Sequence, residues 1–296
     1  MPIRVIFFGT DDLAIPTLEA LINNGNYNVI AVVTKPDSIK GRGHKKSSPK
    51  IANIARQNSI NLLQPNKLLD IKDAINQLQP DIGALVAYGK IISRSILDLF
   101  PKGIINFHPS MLPVYRGPSP IETTIMNGDN FTGLSLIKLT EAMDAGKIYY
   151  QEKINLDRTE TASYLYNKFG QRGAELMSDK LIDIYKGTLT GIEQEDSMAI
   201  YCNMIKKTDG ELDPNNMTAS ECERLVRAFD IWPRCRINFM NKTVIVTKVK
   251  VLDNFNGDSW PDIIKCKNNT FMQICQLISP KSGKDMRASD FIRGLK

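Results

Sequence analysis

Arg4-Val5-Ile6-Phe7-Phe8-Gly9 is a continuous apolar run that stops at a glycine, and Thr10-Asp11-Asp12-Leu13-Ala14 follows it. An apolar run without alternation needs apolar layers on both faces, which is how a strand of a covered parallel sheet is written. Asp11 or Asp12 is placed to cap the next helix, whose Leu13, Ile15, Leu18, Leu21 and Ile22 recur at helical spacing. The same grammar continues outward. Residues 29–33 and 82–87 read as buried strands, 49–57 and 69–78 as helices. Strands alternating with helices predict a Rossmann-like parallel α/β sheet with right-handed crossovers. Two further strands are expected at 132–138 and 147–154, then a long amphipathic helix over 161–185.

Residues 189–206 show no sustained period and read as a linker, which separates a domain over 1–188 from one over 207–296. The second domain has one helix, 219–229, and β-rich segments at 236–239, 243–251, 263–267 and 271–277. Several short strands between turn signals predict a small β-barrel of the oligonucleotide-binding type.

Composition narrows the function. The chain has 296 residues, 42% hydrophobic and 24% charged, as in a soluble globular protein. No apolar stretch has the length of a membrane span, and Met1-Pro2-Ile3-Arg4 lacks the pattern of a signal peptide, so a cytoplasmic protein is expected. Cys202, Cys222, Cys235, Cys266 and Cys275 have neither zinc nor redox spacing and read as reduced residues. The net charge of +6 is concentrated in two zones, 35–50 and 207–296, which suggests a polyanionic partner. A dinucleotide fingerprint would need glycine at 9, 11 and 14, but Asp11 and Ala14 stand there, and there is no Walker sequence.

The chemistry concentrates elsewhere. Gly103-Ile104-Ile105 leads as a strand into Asn106-Phe107-His108-Pro109, and Asn106 and His108, two apart, share a face. An amide donor and an imidazole side by side at the carboxyl end of a strand lie where open α/β sheets keep their sites. An isolated pair of this kind also suits a plain strand end that bonds its own turn. Asp144, in the loop Thr140–Gly146, is either a turn former or a carboxylate brought up to His108 to orient the ring and hold a water. No Ser or Cys sits in a nucleophile elbow, and no ligand set for a metal is visible. Direct acyl transfer to an amine fits such a trio, because it needs an oxyanion donor and proton carriers but no covalent enzyme intermediate.

The motif Asn106-x-His108-x-Ser110-Met-Leu-Pro113, with Arg116-Gly117 and Asp144-x-Gly146, resembles the folate-dependent formyltransferase superfamily. Lys35-Pro36-Asp37 with Gly41-Arg42-Gly43, Val86-Ala87-Tyr88-Gly89, Lys206-Lys207-x-Asp209-Gly210, Trp232-Pro233 and Asp290-Phe291-Ile292-Arg293-Gly294 are similar to the branch of it that acts on methionyl-tRNA. This resemblance implies 10-formyltetrahydrofolate as formyl donor, without a metal, and the α-amine of initiator methionyl-tRNA as acceptor, on a monomer. It implies Asn106, His108 and Asp144 as catalytic residues. Ala87, Tyr88, Gly89, Ile91, Ile104, Ser110, Met111, Leu112, Pro113, Thr140 and Ala142 would hold the folate. Arg42, Lys45, Lys46, Lys206, Lys207, Arg287 and Arg293 would meet the tRNA. The other readings are formyl transfer to an amino sugar, and a non-catalytic RNA-binding module.

Overall fold

The computed structural model describes residues 1–40, 45–253, 255 and 260–295. They form two compact units: 1–118 with 132–154 and 166–202, and 119–131 with 155–165 and 203–296. The first is built on a seven-stranded sheet in the order Ile148–Asn155, Phe131–Lys138, Ile104–His108, Ile82–Val86, Ile3–Gly9, Tyr27–Val33, Asn61–Leu63. From Ile104–His108 to Asn61–Leu63 all neighbours are parallel, and Phe131–Lys138 joins antiparallel. Val5, Ile6, Phe7 and Phe8 are all fully buried, so the unbroken apolar run does reflect a sheet covered on both faces. On one face Phe8 meets Tyr88 and Phe100 edge-on, at 5.7 and 5.8 Å between ring centroids. On the other, Phe107 packs against Gly173 of the helix Ala162–Lys186, where an added Cβ would stand 2.7 Å from the ring.

The strands run outward from Ile3–Gly9 to Asn61–Leu63, and the chain then crosses to the opposite side of Ile3–Gly9. That reversal places a crevice at the carboxyl ends of Ile3–Gly9 and Ile82–Val86, beside Ile104–His108. Register keeps those ends level, since Gly9 faces Val86 and Val86 faces Phe107.

Some expectations change. Neither Asp11 nor Asp12 caps a helix through its side chain: Asp12–Ala14 is a 3-10 turn, Ile15–Asn23 follows it, and the Asp12 carboxylate accepts from Lys50 Nζ at 2.6 Å. The helix expected at 69–78 is a 3-10 turn, Leu68–Ile71, that continues as Lys72–Leu78. Within 189–206, Ile200–Tyr201 is a short strand parallel to Val114–Arg116, so residues up to Cys202 are fastened into the first unit.

The second unit carries a five-stranded antiparallel sheet, Cys235–Phe239, Lys242–Leu252, Thr270–Ile278 and Ile263–Cys266 in that order, with Asp285–Arg287 also on Thr270–Ile278. Its helix Ala219–Ala228 begins at a reciprocal cap between Thr218 and Glu221. Arg224 Nε donates to Met126 O at 2.7 Å, tying this helix to Pro120–Asn127. The five cysteines are free thiols, four of them buried.

Candidate active site

Ile104 belongs to the apolar core, and alternation along its strand carries Asn106 and His108 on the same face towards the strand end. Asn106 is 6% and His108 4% exposed. Asp144 reaches them from the loop between Phe131–Lys138 and Ile148–Asn155. Its Oδ1 accepts from Asn106 Nδ2 at 3.3 Å, and its Oδ2 accepts from Gly117 N at 2.9 Å. His108 Nδ1 stands 3.7 Å from Asp144 Oδ2, beyond hydrogen-bond reach. The three residues that the sequence singles out are therefore one cluster.

The His108 imidazole has Tyr115 O 2.9 Å from its Nε2, its hydrogen-bond partner on that side. A carbonyl only accepts, so Nε2 carries the proton, and in the neutral ring Nδ1 keeps a free lone pair on the Asp144 side. The ring thus stands between the Tyr115 carbonyl at Nε2 and the Asp144 carboxylate on the Nδ1 side.

Backbone conformation makes the cluster possible. Tyr115 (φ 61°), Gly117 (φ 127°) and Asp144 (φ 50°) are all in the left-handed half of φ space. Only glycine suits position 117, where a Cβ would also come 2.5 Å from Cys202 O. Tyr115, the Gly117 amide and Gln194, whose Nε2 donates to Asp144 O and Gly146 O at 2.7 Å each, were missed by sequence reasoning. The Arg116-Gly117 pair pointed to this turn, but a backbone carbonyl or amide leaves no signature of its own, and Gln194 lies in a stretch without pattern.

A cavity of about 710 Å³ is lined by residues from 94–104, 138–141 and 145–147 together with Glu193; Asn106, His108 and Asp144 are not part of its lining. Leu97, Phe100, Ile104 and Leu139 give it apolar walls, with Thr140, Glu141 and Lys138 at its polar edge. Among the residues expected to hold folate, Ile104 and Thr140 line it. Ala87, Gly89, Ile91 and Ala142 do not, although Ala87 and Tyr88 sit at the strand ends, where their carbonyls accept from Thr10 N and Thr10 Oγ1. The Tyr88 side chain is buried in the core, and burial pushes its hydroxyl up to about 12. Ser110 Oγ donates to Val114 O at 2.7 Å, Leu112 is buried, and Met111 packs over Gly133; with Pro113 they shape the turn below His108.

Of the residues expected to meet tRNA, Arg42 lies outside the described residues. Lys45 and Lys46 lie on Lys45–Ser47, which pairs with Ser38–Lys40. Lys206, Lys207, Arg287 and Arg293 are exposed on the second unit, with Arg293 ion-paired to Asp290. Arg287 shares an open groove with Lys248 and Lys250, two cations on alternate positions of one strand. Among the described residues no group of side chains could hold a metal ion.

Comparison with known proteins identifies the family. Residues 1–181 match the formyl transferase family model, and residues 204–296 match the model of the formyl transferase C-terminal domain. The chain belongs to the formyl transferase family. Its similar relatives include the methionyl-tRNA formyltransferase of Ruminiclostridium cellulolyticum, 36% identical over 99% of this chain and 97% of that protein. The enzyme of the same name from Thermodesulfovibrio yellowstonii is 37% identical over 99% and 96%. A solved N-formyltransferase from Helicobacter canadensis, in complex with folinic acid and dTDP-3-aminofucose, shares the fold, with a TM-score of 0.71, 19% identity and coverage of 93% and 99%.

Proposed function

We propose that this chain transfers the formyl group of 10-formyltetrahydrofolate to the α-amine of initiator methionyl-tRNA, giving N-formylmethionyl-tRNA for translation initiation. The observation that carries the reading is the convergence of Asn106, His108 and Asp144 on one strand end, in a chain matched along nearly its whole length by methionyl-tRNA formyltransferases. A cavity lined by Ile104 and Thr140, two of the residues expected to meet the folate, has a volume in the ordinary range of ligand pockets and a lining that mixes apolar with charged side chains. The folate supplies a formyl group already activated on nitrogen, so the protein's work is positioning, charge stabilisation and proton transfer.

Asn106 gives one N–H to Asp144 and keeps a second for the formyl oxygen as it gains negative charge. His108 Nδ1 takes the proton that the attacking amine releases and returns it to the leaving nitrogen. Asp144 Oδ2 stands 3.7 Å from Nδ1, and Gly117 N–H keeps the carboxylate in that place. Residues 1–188 are the catalytic domain, and 207–296 are the tRNA-binding domain, with Arg42, Lys45, Lys46, Lys206, Lys207, Arg287 and Arg293 meeting phosphates. The protein acts as a cytoplasmic monomer; among the described residues no helix is long and apolar enough to cross a membrane.

Steady-state formylation by the wild type and Asn106→Ala tests the roles. Loss of one oxyanion donor should lower kcat by about 10²–10³ with the KM for methionyl-tRNA unchanged. Near-normal turnover by the variant would remove Asn106 from the mechanism.

A further inference from the structure

Arg116 is among the largest fully buried side chains, 2% exposed, and it stands next to the residue whose carbonyl holds His108. Its guanidinium donates to Gln194 Oε1 from Nε at 3.0 Å and from Nη2 at 2.9 Å, to Asp196 Oδ1 at 2.7 Å, and to the Tyr201 hydroxyl at 3.3 Å. Gln194 is thereby locked through its oxygen, and both hydrogens of its amide go to the Asp144 and Gly146 carbonyls. The turn it grips is a tight one. Asp144 has φ 50°, and a Cβ at position 146 would stand 1.8 Å from Lys138 O.

The same segment also holds the other side of the imidazole. Ile200 N donates to Pro113 O and Cys202 N to Arg116 O, at 3.2 and 2.8 Å, which fixes the Tyr115 carbonyl between them. Residues 194–202 thus secure both groups that flank the His108 ring.

We propose that Gln194, locked by buried Arg116, is a positioning residue for formyl transfer: its carboxamide sets the Asp144 turn so that the carboxylate meets Asn106 and the Gly117 amide beside His108. The proposal rests on the formyl-transfer reading. Gln194 acts through Asp144 and touches no substrate, so its effect belongs in kcat and not in KM.

The test is a double-mutant cycle in the full-length chain, comparing wild type, Gln194→Met, Asp144→Asn and the double variant in methionyl-tRNA formylation, with melting temperatures alongside. Gln194→Met keeps the length of the side chain and removes its donors and acceptor. It should lower kcat about 10²-fold, the scale of an ångström-sized misplacement, with both KM values as in wild type. In the Asp144→Asn background it should cost little more, because the residue it positions is already disabled. Should Gln194→Met fail to fold, Gln194→Glu, which keeps an oxygen for Arg116 but loses both donors, carries the same comparison. An active wild type with undiminished kcat in the variants, or a loss that adds in full to that of Asp144→Asn, overturns the role of Gln194 alone. A wild type inactive on methionyl-tRNA overturns the functional reading, and this inference with it.

Discussion

At the scale of single residues, the site depends on where one proton sits. Tyr115 O fixes the proton of His108 on Nε2, which leaves Nδ1 as the only ring atom able to accept one. The Asp144 carboxylate accepts from Asn106 and from Gly117 N–H, which hold it beside the ring. Gly117 is the sensitive point in this arrangement. Gly117→Ala forces an unfavourable φ and drives a methyl towards Cys202 O, displacing the amide that holds Asp144. We expect a large fall in kcat together with a lower melting temperature, both read on the purified variant. Wild-type values for both would show that the amide is dispensable.

At the scale of elements, two contacts show how helices are pinned. The helix Ala219–Ala228 starts where Thr218 Oγ1 accepts from Glu221 N at 3.3 Å and Glu221 Oε2 accepts from Thr218 N at 2.7 Å. Thr218→Ala should lower unfolding free energy by about 1 kcal/mol, measured as a lower denaturant midpoint with activity per folded molecule retained. In the first unit, Glu152 on Ile148–Asn155 meets Arg172 on Ala162–Lys186 at 2.8 Å. The Arg172 guanidinium holds the Glu152 carboxyl below its ordinary range, against burial that pushes it up. A depressed carboxyl stabilises the fold above the ordinary carboxylate range, and this contribution is lost as pH falls through the folded value. Glu152→Gln should therefore cost stability at neutral pH and converge with wild type in acid, in melting curves against pH.

Elements of this kind were largely legible in the sequence, because their burial follows a period. The run 4–9 gave a strand covered on two faces, and the 161–185 pattern appears as Ala162–Lys186. What the pattern hid were contacts between segments far apart in sequence, such as Gln194 with Asp144, and Tyr115 O with His108. Neither carries a periodic signal, and in the second case the functional group is backbone. The juxtaposition of Asn106 and His108 was readable because they are two apart on a strand, whereas the geometry that brings Asp144 to them was not, since it involves three residues with positive φ.

At the scale of the whole molecule, the proposed polyanionic acceptor makes the +6 charge testable. If cations in both units meet tRNA phosphates, the KM for methionyl-tRNA should rise steeply with salt, since each contact releases counterions. The KM for the folate should move far less. Arg42→Ala should raise the KM for methionyl-tRNA while sparing folate binding, and unchanged kinetics with charged tRNA would remove Arg42 from the interface. The fold by itself does not choose the acceptor, because an N-formyltransferase solved with an amino sugar nucleotide shares it. The choice rests on full-length likeness to methionyl-tRNA formyltransferases and on the basic surface. The most direct test gives the purified chain 10-formyltetrahydrofolate with a labelled formyl group, and offers methionyl-tRNA, uncharged tRNA and a nucleotide-linked amino sugar as competing acceptors. The account expects the label on the α-amine of methionyl-tRNA and on neither competitor; label on the amino sugar, or none on methionyl-tRNA, would contradict it.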